Sequence, residues 1–271
     1  MTPLPPEFLT RPLAHRTLHD LRAGRPENSL AGARAAIVAG YGIEVDLQLS
    51  QDGVPMVFHD YVLNRLTPEV GDVNYRKRAE LQDIRLTWGT EPIPTLEDLL
   101  KAVNGRTPLL IEMKDQSGNL DDTESGMEQA VCEHLSGYTG AVALMSRNPH
   151  MVARCADLAP DIPRGLVTGT FTSEDRTNIP PERLKELADI ADYDRAGAGF
   201  ISHNAHDLGT PRVAEIARIG AILCWTVRSA AQEAKVRMIA QNITFEGYPA
   251  EIPDMSCPDM SCPDMSCPDM S

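Results

Sequence analysis

Two periods of apolar and polar residues run through this chain. In the stretch 42–60, GIEVDLQLSQDGVPMVFHD, the residues Ile43, Val45 and Leu47 alternate with Glu44, Asp46 and Gln48. A period of two sends the two sets to opposite faces of a strand. Gln51-Asp52-Gly53 then marks a tight turn, and the next extended run ends at His59-Asp60, so the spacing predicts a hairpin that doubles the chain back. Upstream, Leu30, Ala33 and Ile37 recur at helical spacing, with Asn28 as N-cap and Gly40 as stop. Downstream, Thr95 with Asp98 three residues on has the form of a capping box ahead of Leu96, Leu99, Leu100 and Val103. That helix leads into PLLIEMK at 108–114, a strand with Glu112 and Lys114 again two apart.

The alternation of strand and helix persists to the end of the ordered pattern. Strands are predicted near 13, 43 and 109 and at 141–146, 164–168, 198–202, 221–226 and 242–245, separated by helical patterns such as 149–159 and 211–219. Eight strands alternating with helices predict an α/β fold, a single-domain (β/α)8 TIM barrel over 13–250, with an open doubly wound sheet as the alternative. Residues 1–12 read as a Pro-rich lead, and about 61–94 as an irregular insertion rather than a packed element. The end, 251–271, carries PDMSC repeats that cannot bury enough apolar area to order themselves and reads as a disordered tail. In a parallel barrel the chemistry collects at the C-terminal strand ends. His15, Arg16, Glu44, Asp46, Glu112, Lys114 and Trp225 would fall there.

Composition narrows the partners. At 271 residues the chain accommodates one large domain, and 25 Lys and Arg against 39 Asp and Glu give a net charge of −14. That balance argues against nucleic acid or an anionic membrane surface as the main partner and leaves a small anionic substrate, received by local cations or a metal. No run of 18 apolar residues occurs, so no transmembrane segment is expected. The start lacks a basic region followed by an apolar one, and the six cysteines show no zinc spacing. A cytoplasmic location with reduced thiols is the expectation.

Glu44 and Asp46 on one face of one strand repel each other if buried, and a cation or a proton between them relieves this. A hard metal ion is the simplest answer; the competing reading is a half-buried strand whose polar face meets water. His15-Arg16, Pro26-Glu27-Asn28-Ser29, Glu44-x-Asp46, Asp52-Gly53-Val54-Pro55, His59-Asp60, Ile93-Pro94-Thr95-Leu96-Glu97, Glu112-x-Lys114 and Trp225-Thr226-Val227 occur in this order. Together they resemble the signature of the glycerophosphodiester phosphodiesterase family, over about 13–249.

The resemblance implies a (β/α)8 barrel that hydrolyses glycerophosphodiesters to glycerol 3-phosphate and an alcohol, using one divalent cation, magnesium or calcium. Carried over by position, it implies Glu44, Asp46 and Glu112 as metal ligands, and His15 and His59 as the acid/base pair. Arg16 and Lys114 would hold phosphate oxygens. Trp225, read from its place at a strand end, is either a core residue or a wall for the substrate glycerol. Two departures concern the substrate more than the chemistry. Thr17 stands where the family usually has Gly, which would narrow the floor of the pocket. Residues 244–249, TFEGYP, replace a more usual TDxP ending and would alter the rim at the eighth strand. A phospholipase D-like or lysophospholipase activity on a lipid phosphodiester, and a non-catalytic barrel that binds phosphodiesters, are the competing functions. The oligomeric state is not readable from the sequence.

Overall fold

Runs such as 109–113 and 142–146 are buried on both faces, and two-sided burial is what a parallel sheet covered by helices requires. The computed structural model describes residues 2–171 and 178–253; most of the expected tail, from 254 on, lies outside the described residues. The strands are β1 (Leu13–Ala14), β2 (Gly42–Leu49), β3 (Pro55–Val57), β4 (Leu109–Met113), β5 (Val142–Ser146), β6 (Arg164–Thr168), β7 (Phe200–Asn204), β8 (Ala221–Val227) and β9 (Asn242–Phe245). All but β3 are parallel, and the order β1-β9-β8-β7-β6-β5-β4-β2 closes through β1 pairing with β2. The fold is thus the expected (β/α)8 TIM barrel. β3 lies outside the ring as the antiparallel return arm of the hairpin, with Leu47 opposite Val57 and Leu49 opposite Pro55.

Strand parity decides what faces the barrel axis. Ile43, Val45, Leu47 and Ile111 point outward into the large core shared with the helices. Leu13, Leu110, Met145, Val167, Phe200 and Leu223 point inward and fill the barrel together with Leu4 and Phe8. The inward set on β2 is therefore Glu44 and Asp46, and on β4 it includes Glu112. At the bottom of the barrel the segment read as a lead is a packed plug. Phe8 is fully buried, and the Asn242 side-chain amide donates to the carbonyls of Phe8 and Arg11, each at 2.7 Å.

Three further sequence expectations change. The helix Leu30–Ala39 is capped by Ser29, whose hydroxyl accepts from the Gly32 N–H at 3.0 Å. Asn28 instead takes a left-handed backbone, φ 54°, which turns its amide into the barrel mouth. The segment 61–94 is irregular in path but packed, because 3-10 turns at Leu63–Arg65 and Val73–Tyr75 and the helix Arg78–Asp83 fold Leu63, Leu66, Val73, Leu81 and Ile84 onto Phe58 from beside the hairpin. Finally, β7 starts at Phe200, two residues later than expected, because the left-handed turn at Gly197, φ 61°, holds the chain out of the strand. The capping box forms as read: Thr95 Oγ1 accepts from Asp98 N–H and Asp98 Oδ2 accepts from Thr95 N–H, both at 3.1 Å.

Candidate active site

The parallel register of β2 and β4 sets Asp46 directly opposite Glu112, with Glu44 one pleat deeper on the same inward face. All three carboxylates are buried, and one oxygen from each lies within 4.8 Å of the others. Burial, then the charges of Asp46 and Glu112, push the Glu44 carboxyl well above its usual range. The backbone N–H of Arg16 and the charge of Lys114 act the other way on Glu44 without prevailing. Three converging hard oxygen donors with no sulfur or nitrogen among them fit a divalent cation of the magnesium or calcium type.

Cations crowd the same point. Lys114, the residue after β4, is held by two of the acids, with Nζ 2.7 Å from Asp46 Oδ1 and 2.8 Å from Glu112 Oε1. Burial works to lower the pKa of this lysine, but the two carboxylates outweigh it and the net shift is upward. Arg16 places Nε 3.5 Å from Asp46 Oδ2, donates from its guanidinium to Glu27 at 2.9 Å, and uses its backbone N–H to hold Glu44 Oε2 at 2.8 Å. For Asp46, burial works upward, but Lys114, His59 and Arg16 prevail and keep the carboxyl well below the ordinary range.

Asn28 completes the grip on Asp46. Its side-chain N–H donates to Asp46 Oδ2 at 3.0 Å and its Oδ1 accepts from the Asp46 backbone N–H at 3.3 Å. Sequence reasoning gave this residue to the helix cap because Asn is a strong N-cap and Ser29 stands beside it; the two roles are separable only in three dimensions.

His15 and His59 line the cavity with the three acids, Arg16, Lys114 and Trp225. The ring Nδ1 of His59 meets Asp60 Oδ1 at 2.7 Å, and Arg65 fixes Asp60 from behind at 2.8 Å. The ring Nδ1 of His15 meets Glu246 Oε2 at 2.5 Å, and Arg228 fixes Glu246 at 2.7 Å. His19 approaches the same Glu246 oxygen at 3.6 Å. The hydrogen bond from His15, with His19 and Arg228 close by, holds the Glu246 carboxyl far below its usual range. Burial pulls the His15 pKa down, and Glu246 only partly offsets it. The departure at 244–249 is therefore more than a change of rim: it supplies the carboxylate that seats His15.

The other departure does not reach the cavity. Thr17 has φ 73°, a conformation that a β-branched residue rarely takes, and its backbone N–H donates to the Glu44 carbonyl at 2.9 Å. Its side chain is buried under the helix Leu30–Ala39, where a Cβ at Gly32 would overlap its Oγ1 and Cβ. The extra atoms are accommodated by the missing ones at Gly32, and the pocket floor is not narrowed. Trp225, in β8, donates Nε1–H to the Ser202 carbonyl at 2.9 Å and carries Arg147 over its ring. Arg147, at the end of β5, also lines the cavity; an isolated arginine after a strand gives no spacing signal, and the sequence reading passed over it.

The sequence profile of the Glycerophosphoryl diester phosphodiesterase family matches residues 15–244. YqiK of Bacillus subtilis is 34% identical over 153 residues, 53% of this chain and 61% of that protein. YhdW of the same organism, whose name assigns it provisionally to the glycerophosphodiester phosphodiesterases, is 28% identical over 234 residues, 83% of this chain and 90% of that protein. Among solved structures, a phosphodiesterase of Oleispira antarctica in complex with the product sn-glycerol-3-phosphate superposes with a TM-score of 0.71 at 24% identity, covering 88% of this chain and 93% of that one. No helix among the described residues is long and apolar enough to cross a membrane.

Proposed function

The chain belongs to the Glycerophosphoryl diester phosphodiesterase family, and from that premise we propose that it hydrolyses glycerophosphodiesters to glycerol 3-phosphate and an alcohol. The observation that carries the reading is the meeting, at one barrel mouth, of three buried carboxylates, two buried or half-buried cations and two histidines each braced through Nδ1. Support for the substrate class comes from the Oleispira antarctica structure, which holds sn-glycerol-3-phosphate as product.

Glu44, Asp46 and Glu112 would hold one divalent cation, magnesium or calcium, which when bound neutralises phosphate charge and polarises the phosphorus centre. Arg16 offers its guanidinium fork and Lys114 a point charge to the phosphate oxygens. With Nδ1 committed to a carboxylate, each histidine presents Nε2 for proton exchange, and the carboxylate stabilises the imidazolium that forms. One histidine takes a proton from the attacking hydroxyl or water as the bond to phosphorus forms. The other donates a proton to the alcohol oxygen as its bond to phosphorus breaks. Trp225 walls the substrate.

A panel of glycerophosphodiesters and lysolipids, followed by phosphorus NMR in magnesium, in calcium and in chelator, tests this. Release of glycerol 3-phosphate that stops with chelator is expected. A chain that binds these diesters with metal but never cleaves them would be a binding barrel instead.

A further inference from the structure

Arg147 is the cation that the chemistry above leaves unused. It borders two spaces at once: the cavity of the carboxylates, with Asp46 and Trp225, and a wider cleft beyond His59, lined by Tyr61, Leu120 and Phe171. Its guanidinium carbon lies 4.6 Å from the centroid of the Trp225 ring. Its ion-pair partner is Glu112, at 4.0 Å from Nε to Oε1, and the same oxygen sits 2.8 Å from Lys114. Arg147 is thus the less satisfied of the two cations that face Glu112.

Among the described residues, the other acids that line the cleft do not answer this charge. Asp60 is taken by His59 and Arg65. Asp115 accepts from the Asn148 side chain at 2.8 Å and from the Leu120 N–H at 3.0 Å. A phosphodiester carries one negative charge, and Arg16, Lys114 and the carboxylate cluster with its cation suffice to receive it. A further guanidinium at the boundary between cavity and cleft is surplus for a neutral alcohol and repulsive for a cationic one.

Trp225 sharpens the point. An aromatic face at a site mouth is a natural cradle for a quaternary ammonium, yet here the guanidinium of Arg147 already covers that face. We propose that Arg147, stacked on Trp225, selects phosphodiesters whose alcohol carries a second anionic group, a phosphate or carboxylate, and rejects cationic alcohols such as choline. The selection is both attractive, through a planar donor fork suited to phosphate or carboxylate, and repulsive, through like charge at an occupied aromatic face. This specificity rests on the phosphodiester reading, because it assumes that Arg16 and Lys114 take the diester group itself.

The test reads binding rather than turnover. In magnesium buffer, calorimetry on the doubly substituted His15→Ala/His59→Ala protein gives dissociation constants for glycerophosphoinositol 4-phosphate, glycerophosphoinositol and glycerophosphocholine. Arg147→Met and Arg147→Lys are then compared in the same background. The phosphorylated alcohol should bind at least about tenfold more tightly than the choline diester, a ratio that Arg147→Met brings to within about twofold. Arg147→Lys, which keeps the charge and loses the planar stack, should fall between. Choline binding that equals or exceeds binding of the phosphorylated alcohol, no binding of either, or a ratio unmoved in Arg147→Met would overturn the proposal. Hydrolysis by the unsubstituted protein is followed separately, so a protein that binds with this preference but cleaves nothing counts against the proposed activity alone.

Discussion

The two histidines of the mouth stand in matching cradles built from different parts of the chain. On one side, His59 meets Asp60 and Asp60 meets Arg65, all within seven residues of the insertion that follows the hairpin. On the other, His15 meets Glu246 across 231 residues, and Glu246 meets Arg228 after β8. Each cradle has the same order of imidazole, carboxylate and guanidinium, and each leaves Nε2 uncommitted to that carboxylate. The His59 cradle is also tied to Arg16, because Arg65 reaches Glu27 at 2.7 Å and Glu27 holds Arg16 at 2.9 Å. Among the described residues, no side-chain hydrogen bond links Glu246 or Arg228 to Arg16, and the His15 cradle gathers His19 instead. One geometry can be reached by local sequence or by barrel closure, and only the first leaves a motif.

The largest expected effect tests whether the two sides are equivalent in the reaction. His15→Ala and His59→Ala should each lower kcat by about 10²–10⁴ with a much smaller change in substrate affinity, since proton transfer acts chiefly while bonds to phosphorus change. An activated aryl phosphodiester, whose leaving group needs little protonation, should rescue only the variant that has lost the general acid. Steady-state kinetics on natural and activated substrates separates the two, and near wild-type turnover in both variants would remove histidine catalysis.

Next in size are the braces. Glu246→Gln and Asp60→Asn should each lower kcat by at least about tenfold, because a carboxylate that fixes ring and tautomer is worth that much where it has been removed elsewhere. The activated substrate should rescue the brace variant on the same side as the rescued histidine variant. Rescue on the opposite side, or a loss confined to KM, would break the pairing of carboxylate with histidine.

A smaller effect falls on stability and on the His15 side alone. Gly32→Ala should destabilise the fold by about 1–3 kcal/mol in urea, because the new methyl overlaps Thr17. In a Thr17→Gly background the same substitution should cost far less, a coupling that a double-mutant cycle measures directly. Additive losses would mean that the helix and the turn after His15 do not share that space.

The smallest effect expected is none. A chain ending after Glu251 retains both cradles and should match the full chain in melting temperature and turnover, whereas a loss of either would give the PDMSC repeats a role.

What could be read beforehand follows the same division. Glu44 and Asp46 were legible as a pair because a strand period of two sets them on one face, whereas Glu112 joined them through the family resemblance, and the register of β4 on β2 sets it opposite Asp46. His59-Asp60 was legible because its partners are adjacent. Glu246 was visible only as a departure from a familiar ending, since nothing along a separation of 231 residues announces a hydrogen bond. Asn28 was assigned to the cap that its neighbour makes. The packed character of 61–94 was missed because Leu63, Leu66, Val73, Leu81 and Ile84 lie on or beside short 3-10 turns and one short helix, so no continuous periodic run announces them.

The seam where the ring closes gives the chain a sense of completion. β1 pairs with β9, Leu13 with Thr244 and Ala14 with Phe245, and His15 and Glu246 are the next residues along each strand. During synthesis His15 leaves the ribosome 231 residues ahead of its carboxylate, so this cradle cannot exist until β9 has emerged and docked. Contacts of such long sequence separation are also the slow ones to form. Turnover that depends on Glu246 is then a clock for barrel closure. In a refolding experiment its recovery should trail the appearance of helical signal and coincide with burial of Phe8 beneath the last strand.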